Sequence, residues 1–235
     1  MNVIKAKSVE ELNKKAAVMI AGQMLEKPDS VLGFATGSSP LGTYAELIRL
    51  YQEGTIDFSQ VTTFNLDEYV GLGKDHSQSY HYFMKENLFS KVNIKEENTH
   101  IPSGVAADAT AECRRYEEAI GAAGGVDLQL LGLGRNGHIG FNEPDSIFGK
   151  ETSVVKLTES TIEANTRFFD SSAEVPKEAI SMGIGTIMKA RKILLIAYGA
   201  DKKEAIEKLL SGEVSPQMPA SILQLHPQTT IIYAD

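Results

Sequence analysis

Residues 127–144, DLQLLGLGRNGHIGFNEP, carry acid–base side chains in a glycine-rich segment that directly follows an apolar run. The apolar run has the length of a buried strand. Arg135, Asn136, His138 and Glu143 then stand among closely spaced glycines. A histidine with a nearby carboxylate can pass protons to and from a bound ligand. The alternative is a polar turn that uses glycine for its backbone angles.

A second group of acids, Asp67 and Glu68, follows the stretch VTTFNL at residues 61–66. The β-branched content of that stretch predicts a strand. Carboxylates at the end of such a strand are costly to bury without a partner. One of them could be a general base with a raised pKa, able to remove a proton from a carbon next to a carbonyl. A surface loop is the alternative interpretation.

A small hydroxyl-rich loop separates the short apolar strand predicted at 31–35 from a helix predicted at 41–52. The loop consists of Thr36, Gly37, Ser38 and Ser39, and Pro40 suits the first turn of the helix. The backbone N–H groups at a helix N-terminus attract phosphates and carboxylates. The loop matches neither the Walker pattern nor GxGxxG, which favours a small anionic ligand over a nucleotide. An ordinary helix cap with small residues remains the alternative.

Two basic residues are candidates to complete such an anion site. A strand predicted at 192–198 runs into a turn, and Lys202 opens the next helix. Arg167 lies in the polar segment 145–178, which has no strong period. A segment of this kind beside a site can be a lid, in which Arg167 could reach an anion. An ordinary surface helix is the alternative for this segment.

The element pattern predicts an α/β fold. Predicted strands and helices alternate almost throughout, as in a parallel sheet with helices on both faces. Helices are expected from Ser8 onward, where SVEEL reads as a capping box, and at 77–92, 109–121 and 179–190. The carboxyl ends of the strands would bring Asp67, the His138 loop and Lys202 to one edge of the sheet. We expect a single domain spanning 1–235.

Composition limits the binding partners and the cellular compartment that this protein is expected to have. The net charge of −8 argues against a general nucleic-acid or membrane-surface binder. The single cysteine, Cys113, cannot form an internal disulfide, which favours the reducing cytoplasm. The N-terminus has no apolar signal core, and no apolar run approaches the roughly 18 residues of a membrane span. No cluster of cysteines and histidines predicts a metal site.

Several motifs together resemble the glucosamine-6-phosphate deaminase family. They are LGLGRNGHIGFNEP, FNLDEYVGL, ATGSSPLGTY, NTRFFD, SMGIGTIM and MPASILQLHP, and they span nearly the whole chain. The resemblance implies a three-layer αβα sandwich around a mostly parallel sheet. It also implies conversion of glucosamine 6-phosphate and water to fructose 6-phosphate and ammonia, in amino-sugar catabolism, without a metal or organic cofactor.

The resemblance also implies roles for individual residues. Asp67 matches the base that moves the C2 proton to C1 through an enolamine. His138 matches the residue that opens the sugar ring, and Glu143 matches the carboxylate that orients His138, the logic of a catalytic triad. The phosphate site would consist of Thr36, Gly37, Ser38, Ser39, Arg167 and Lys202.

The chain departs from the family pattern at a few places. Asn136 stands where the longer members carry Asp, so an amide replaces a charge in the catalytic group. Ser38 and Ser39 stand where many members have Gly-Thr. The chain ends at Asp235, whereas the longer members are hexamers activated by N-acetylglucosamine 6-phosphate. We therefore expect a monomer without that activation, and an effect of Asn136 that tunes the rate of ring opening.

Alternatives to the deaminase remain at this stage. A 6-phosphogluconolactonase has a similar fold and phosphate loop, but it hydrolyses an ester and needs no base of the Asp67 kind. A ribose-5-phosphate isomerase fits the chemistry with a poorer motif match. A sugar-phosphate sensor would bind the ligand without turnover. Loss of turnover with retained binding after Asp67→Asn would separate an enzyme from a sensor.

Overall fold

The computed structural model describes residues 1–159, 162, 169 and 175–235, and these residues form two sheets with helices packed around them. The strands are β1 (Asn2–Lys5), β2 (Val31–Phe34), β3 (Thr62–Asn65), β4 (Asp67–Tyr69), β5 (Thr99–His100), β6 (Leu128–Gly132), β7 (Ser153–Lys156), β8 (Glu178–Ser181), β9 (Lys192–Tyr198) and β10 (Thr229–Ala234). The helices are α1 (Val9–Glu26), α2 (Leu41–Gln52), α3 (Tyr80–Asn87), α4 (Ala109–Ala122), α5 (Ile184–Ile187) and α6 (Lys203–Leu209). A 3-10 helix covers Pro219–Leu225.

The larger sheet confirms the predicted parallel architecture. Its strand order is β1-β10-β9-β6-β2-β3-β5, and each neighbouring pair is parallel. The four strands β9, β6, β2 and β3 are therefore consecutive neighbours. Because the carboxyl ends of parallel strands meet at one edge, the loops after these four strands lie side by side.

Helices cover both faces of this sheet, as its apolar strands require. Leu130 of β6 points into a core with Leu12 of α1 and residues of α2. Its neighbour Leu131 points to the opposite face and packs with Tyr116 of α4 and residues of α6. Adjacent residues of a strand alternate between faces, so β6 contributes to both cores. The three-layer αβα arrangement is confirmed.

A smaller antiparallel sheet, in the order β4-β8-β7, shows that the helix predicted at 179–190 is wrong. The first part of that stretch is β8, and only α5 is helical. A Cβ at Gly183 would collide with the carbonyl oxygen of Glu151, and one at Gly185 would collide with that of Lys150. The two glycines thus admit a passing chain segment, and pairing with β4 and β7 overrides the helical pattern.

The acids predicted at the end of the third strand lie on β4 instead. The chain leaves the large sheet at Leu66, whose carbonyl accepts the N–H of Met182 at 2.7 Å. Asp67 then faces Ser181 across the β4–β8 ladder, and Glu68 faces Ile180. Because strand residues alternate, Asp67 and Glu68 point to opposite faces of this small sheet.

Helix boundaries follow local capping. The hydroxyl of Ser8 accepts the N–H of Glu11 at 3.2 Å, which confirms the predicted start of α1. The second bond of the capping box differs, because the Glu11 carboxylate accepts the backbone N–H of Lys7 rather than that of Ser8. Helix α3 is shorter than the predicted 77–92, because Ser79 caps its start and it ends at Asn87. Within the described ranges, no helix is long and apolar enough to span a membrane.

Candidate active site

Asp67 is a buried carboxylate, with 5% of its surface exposed. Among the residues that the structure describes, none forms a hydrogen bond with its side chain. Burial, and after it the negative charge of Glu68, raises the pKa of Asp67 to about 8. A carboxylate removed from water and from cations in this way is a base suited to near-neutral pH.

Gly140 brings the loop after β6 against Asp67. Its φ is +58°, in the left-handed region. A Cβ at this position would lie 3.5 Å from Oδ2 of Asp67 and 3.3 Å from Oγ of Ser181. The Ser181 hydroxyl in turn accepts the N–H of Phe141 at 3.1 Å. The loop that carries His138 is therefore fixed on the side of β4 that holds the Asp67 carboxylate.

His138, Asn136 and Glu143 form a chain of hydrogen bonds. Nδ1 of His138 lies 2.7 Å from Oδ1 of Asn136, and the Asn136 amide donates to Oε2 of Glu143 at 2.6 Å. The same carboxylate oxygen lies 3.5 Å from Nδ1 of His138. The histidine ring is 28% exposed, whereas the Glu143 side chain is 10% exposed. The histidine end of this chain is thus more exposed to solvent than the Glu143 end.

The orientation of the Asn136 amide fixes the histidine tautomer. The backbone N–H of His138 also points to Oδ1 of Asn136, at 3.2 Å. A backbone N–H can only donate, so the amide oxygen faces it and the amide nitrogen faces Glu143. Nδ1 of neutral His138 must then carry the proton that the oxygen accepts. Nε2 keeps its lone pair and is free to take a proton from a ligand.

Removal of the Asn136 side chain is expected to lower kcat without unfolding the protein. Asn136→Ala leaves Nδ1 of His138 without its main partner, so the ring can turn away from the productive position. Misplacement of a catalytic group by about 1 Å costs up to roughly 10²-fold in rate. Asn136→Asp keeps an acceptor for Nδ1 and should stay within about 10-fold of the natural protein. Initial rates of both variants at saturating substrate test this prediction. A kcat of Asn136→Ala equal to that of the natural protein would contradict it.

An aromatic wall stands beside Asp67. The rings of Tyr69 and Tyr80 lie 4.9 Å apart between centroids, and Phe141 stacks on Tyr80 at 6.2 Å. Burial is the main cause that raises the pKa of Tyr80 well above its ordinary value, and Thr36 acts on the same hydroxyl in the opposite direction. The wall therefore lies between the strand of Asp67 and the predicted anion loop.

The predicted anion loop lies between β2 and α2. Gly37 adopts φ +89°, and the Tyr198 hydroxyl donates to the carbonyl oxygen of Ser38 at 3.0 Å. The Oγ of Ser39 would lie 3.7 Å from a Cβ at Gly132, so the loop packs on the end of β6. Contacts to the ends of β6 and β9 therefore fix its path.

Lys202 follows β9 at the same edge. Its neighbour Asp201 accepts from Nε of Arg135 at 2.7 Å, which joins the turn after β9 to the His138 loop. Arg167, the other predicted basic residue, lies outside the described residues, as does part of the predicted lid. Within the described part of the chain, no group of His, Cys, Asp and Glu is arranged to hold a metal ion.

The sequence interpretation missed two contributors. Ser181 was assigned to a helix, and no residue pattern pointed to its contact with the His138 loop. Tyr80 lies in the helix predicted at 77–92, and its hydroxyl gave no separate signal. Glu68 was considered as the base, but the alternation of β4 points it away from the cleft.

Comparison with known proteins decides the family. A model of the family described as glucosamine-6-phosphate isomerases/6-phosphogluconolactonase matches residues 5–232. The chain belongs to this family. A glucosamine-6-phosphate deaminase from Lachnoclostridium phytofermentans is 60% identical over 232 residues, covering 99% of this chain and 98% of the relative. One from Thermoanaerobacter pseudethanolicus is 58% identical, covering 99% and 92%.

A solved structure of a deaminase agrees with this assignment. A structure described as a monomeric glucosamine-6-phosphate deaminase superposes with a TM-score of 0.97 and 48% identity, covering 100% of this chain and 97% of that one. A 6-phosphogluconolactonase from Thermotoga maritima gives a TM-score of 0.78 at 19% identity, covering 99% and 98%. At 19% identity, the likeness to the 6-phosphogluconolactonase shows only that the two proteins share a fold. The predicted membership in the deaminase family is confirmed.

Proposed function

We propose that this family member converts glucosamine 6-phosphate and water to fructose 6-phosphate and ammonia. The observation that carries the proposal is Asp67, a buried base with no hydrogen-bonded partner among the described residues, set beside a histidine with a free Nε2. Removing a proton from carbon requires such a base, whereas hydrolysis of a lactone does not. The deaminase relatives, at up to 60% identity, support the same substrate.

Phosphate binding would place the sugar in the cleft. The backbone N–H groups of residues 36–39, at the start of α2, suit the phosphate oxygens, and Lys202 supplies a positive charge. Arg167 is proposed as a further phosphate ligand on the sequence resemblance alone. With the phosphate at this end, the sugar carbons extend along the aromatic wall toward Asp67 and His138.

Ring opening is the step we assign to His138. Nε2 takes the proton of the O1 hydroxyl and returns it to the ring oxygen, so that the C1–O5 bond breaks and C1 becomes an aldehyde. The ring carries a transient positive charge during this transfer. Glu143, which lies 3.5 Å from Nδ1 and is connected to it through Asn136, stabilises that charge.

Isomerisation and deamination follow at Asp67. The ionised carboxylate removes the C2 proton of the open-chain sugar, the C2 ammonium group of the substrate passes a proton to the aldehyde oxygen, and the electron pair forms an enolamine with a hydroxyl at C1. Asp67 then delivers its proton to C1, which leaves an iminium at C2. Water adds to that carbon and ammonia departs, giving the ketone of fructose 6-phosphate. The carboxylate ends the cycle ionised.

The raised pKa of Asp67 predicts the pH dependence. Asp67 must be ionised to act as a base, so kcat/KM should rise with pH and level off near the pKa of about 8. Below that value the rise approaches about tenfold per pH unit. Initial rates at low substrate concentration between pH 5.5 and 9, at constant ionic strength, would measure this dependence of kcat/KM on pH. A flat profile over this range would contradict the assignment.

The products test the proposed reaction. Purified protein is incubated with glucosamine 6-phosphate, and ammonia and fructose 6-phosphate are measured in parallel with EDTA present. Equal amounts of both products are expected. A parallel incubation with 6-phosphogluconolactone tests the lactonase alternative, and lactone hydrolysis without ammonia release would replace the proposal. Binding without turnover of either compound would favour the sensor.

We further propose a monomer that needs neither a nucleic-acid nor a membrane partner. A relative described as monomeric superposes over the whole chain, which supports this assembly state. The single cysteine, Cys113, is buried and free, which fits a reducing compartment such as the cytoplasm. Sedimentation at micromolar concentration, with and without N-acetylglucosamine 6-phosphate, would reveal a hexamer if one forms.

A further inference from the structure

Glu68 is a fully buried carboxylate next to Asp67 in sequence, and it has no place in the reaction described above. Its side chain is 0% exposed. It accepts the backbone N–H of Tyr69 at 2.9 Å, that of Tyr80 at 2.9 and 3.0 Å, and that of His81 at 3.1 Å. Nδ1 of His81 lies 3.0 Å from the same carboxylate. Backbone contacts thus anchor Glu68 in one place.

These contacts suit the ionised form of Glu68. The backbone groups around it are all N–H donors, and an ionised carboxylate only accepts. Tyr80 and His81 begin α3, so the carboxylate also lies at the positive end of the helix. A protonated side chain would turn an O–H toward one of these donors. The surroundings of Glu68 therefore favour a fixed negative charge.

The side chains of Glu68 and Asp67 point to opposite faces of β4, yet the negative charge of Glu68 still contributes, after burial, to the raised pKa of Asp67. From α3, Tyr80 faces Asp67, and from α4, Tyr116 does; burial raises the pKa of each phenol well above its ordinary value, so both stay neutral. From the loop after β6, His138 borders the cleft together with its carboxylate partner Glu143. From its own strand β4, Asp67 has Glu68 as its charged neighbour.

We infer that Glu68 is a positioning residue for proton transfer at Asp67: it holds a fixed negative charge behind the base and ties the first turn of α3, with Tyr80, to the strand that carries it. This inference rests on the proposed function, in which Asp67 accepts the C2 proton. The charge keeps Asp67 from becoming a weak base. The tie to α3 holds the Tyr80 ring against Tyr69 and Phe141, beside the strand that carries Asp67.

Glu68→Gln tests the charge while keeping the side-chain shape. The titration of the Asp67 carboxyl carbon is followed by NMR, with Asp67→Asn to assign its signal, so that the readout does not depend on turnover. Loss of a neighbouring like charge should lower the midpoint by about one pH unit. The rising limb of kcat/KM should move to lower pH by the same amount. An unmoved midpoint in folded Glu68→Gln would overturn the inference.

Glu112→Gln is the matched control. Glu112 is another buried carboxylate that accepts a backbone N–H, from Ser103 at 2.8 Å, and it pairs with Arg115. Its removal should destabilise the fold, measured as a lower Tm, and leave the Asp67 midpoint unchanged. An equal shift in this control would show a general effect of loosened packing and would overturn the role of Glu68.

Glu68→Asp keeps the test decisive if Glu68→Gln does not fold. The shorter side chain retains the charge but reaches α3 poorly, so the Asp67 midpoint should stay and kcat should fall. A midpoint displaced to lower pH in Glu68→Asp would contradict the inference. The proposed function and this inference can fail separately. If the Asp67 carboxyl of the natural protein titrates as expected but no ammonia is released, the proposed function is refuted and the electrostatic role of Glu68 is supported.

Discussion

Replacement of Asp67 by Asn is expected to lower kcat for ammonia release by about 10²–10⁴-fold, the usual contribution of a general base. The amide has nearly the same shape and cannot accept the C2 proton. Substrate affinity should change little, because the phosphate is held by the loop after β2 and by Lys202. Initial rates at saturating substrate would give kcat, and equilibrium binding of glucosamine 6-phosphate to the variant would give Kd.

Stability supplies an independent check on Asp67. The pKa of this carboxyl is near 8 in the folded protein and near 3.8 when unfolded, so the folded state binds an extra proton between these values. Stability of the natural protein therefore falls as pH rises through this window, and Asn removes the effect. The Tm of Asp67→Asn relative to the natural protein should rise between pH 5 and 9. A constant difference in Tm would mean that Asp67 is not perturbed.

Replacement of His138 by Gln should give the second largest loss, about 10²-fold in kcat. Gln cannot pass a proton between O1 and the ring oxygen, so turnover would depend on sugar that has opened in solution. The loss is smaller than that expected for Asp67 because the open-chain form also arises without the enzyme. Initial rates at saturating glucosamine 6-phosphate measure this prediction.

A linear ligand separates ring opening from binding. The 6-phosphate of 2-amino-2-deoxyglucitol has no ring to open, so His138→Gln should bind it as tightly as the natural protein does. His226→Gln serves as a control, since Nε2 of His226 donates to the carbonyl of Ala190, away from the cleft. Weak binding of the linear ligand by His138→Gln would show that His138 holds the substrate rather than opening it.

Periodicity and turn residues were sufficient to predict most of the large sheet. The strands at 31–34, 128–132, 192–198 and 229–234 are short apolar runs closed by glycine or polar turns, and such local signals are strong. The rule that ligands bind at the carboxyl ends of the strands then predicts that the His138 loop and Lys202 lie at one edge of the sheet. These predictions depend on local sequence and on one general property of parallel sheets.

The small sheet could not be predicted in the same way. Residues 178–181 alternate too weakly to distinguish a strand from a helix, and their pairing partners at 67–69 and 153–156 are far away in sequence. The packing of Gly183 and Gly185 also depends on residues 150–151, which lie about 30 residues away in sequence. The burial of Asp67 depends on these long-range contacts, so its raised pKa could not be predicted from the sequence.

Asn136 shows what a family resemblance leaves open. The sequence raised the concern that an amide cannot stabilise a positive imidazole as a carboxylate does. In the structure the amide accepts from His138 with one end and donates to Glu143 with the other, so it transmits the polarity of the carboxylate. Compared with an Asp at position 136, the negative charge lies one residue farther from the His138 ring, on Glu143. The tautomer of His138 is still fixed by Asn136.

The most direct test of the account follows the hydrogen that Asp67 would deliver to C1. Glucosamine 6-phosphate is turned over in D₂O, and deuterium at C1 of the fructose 6-phosphate is measured by NMR. The account predicts solvent deuterium at one of the two C1 positions in at least part of the product from the natural protein. In Asp67→Asn, with substrate still bound, labelled product should form at least about 10²-fold more slowly. Labelling by Asp67→Asn at the natural rate would contradict the central role of Asp67.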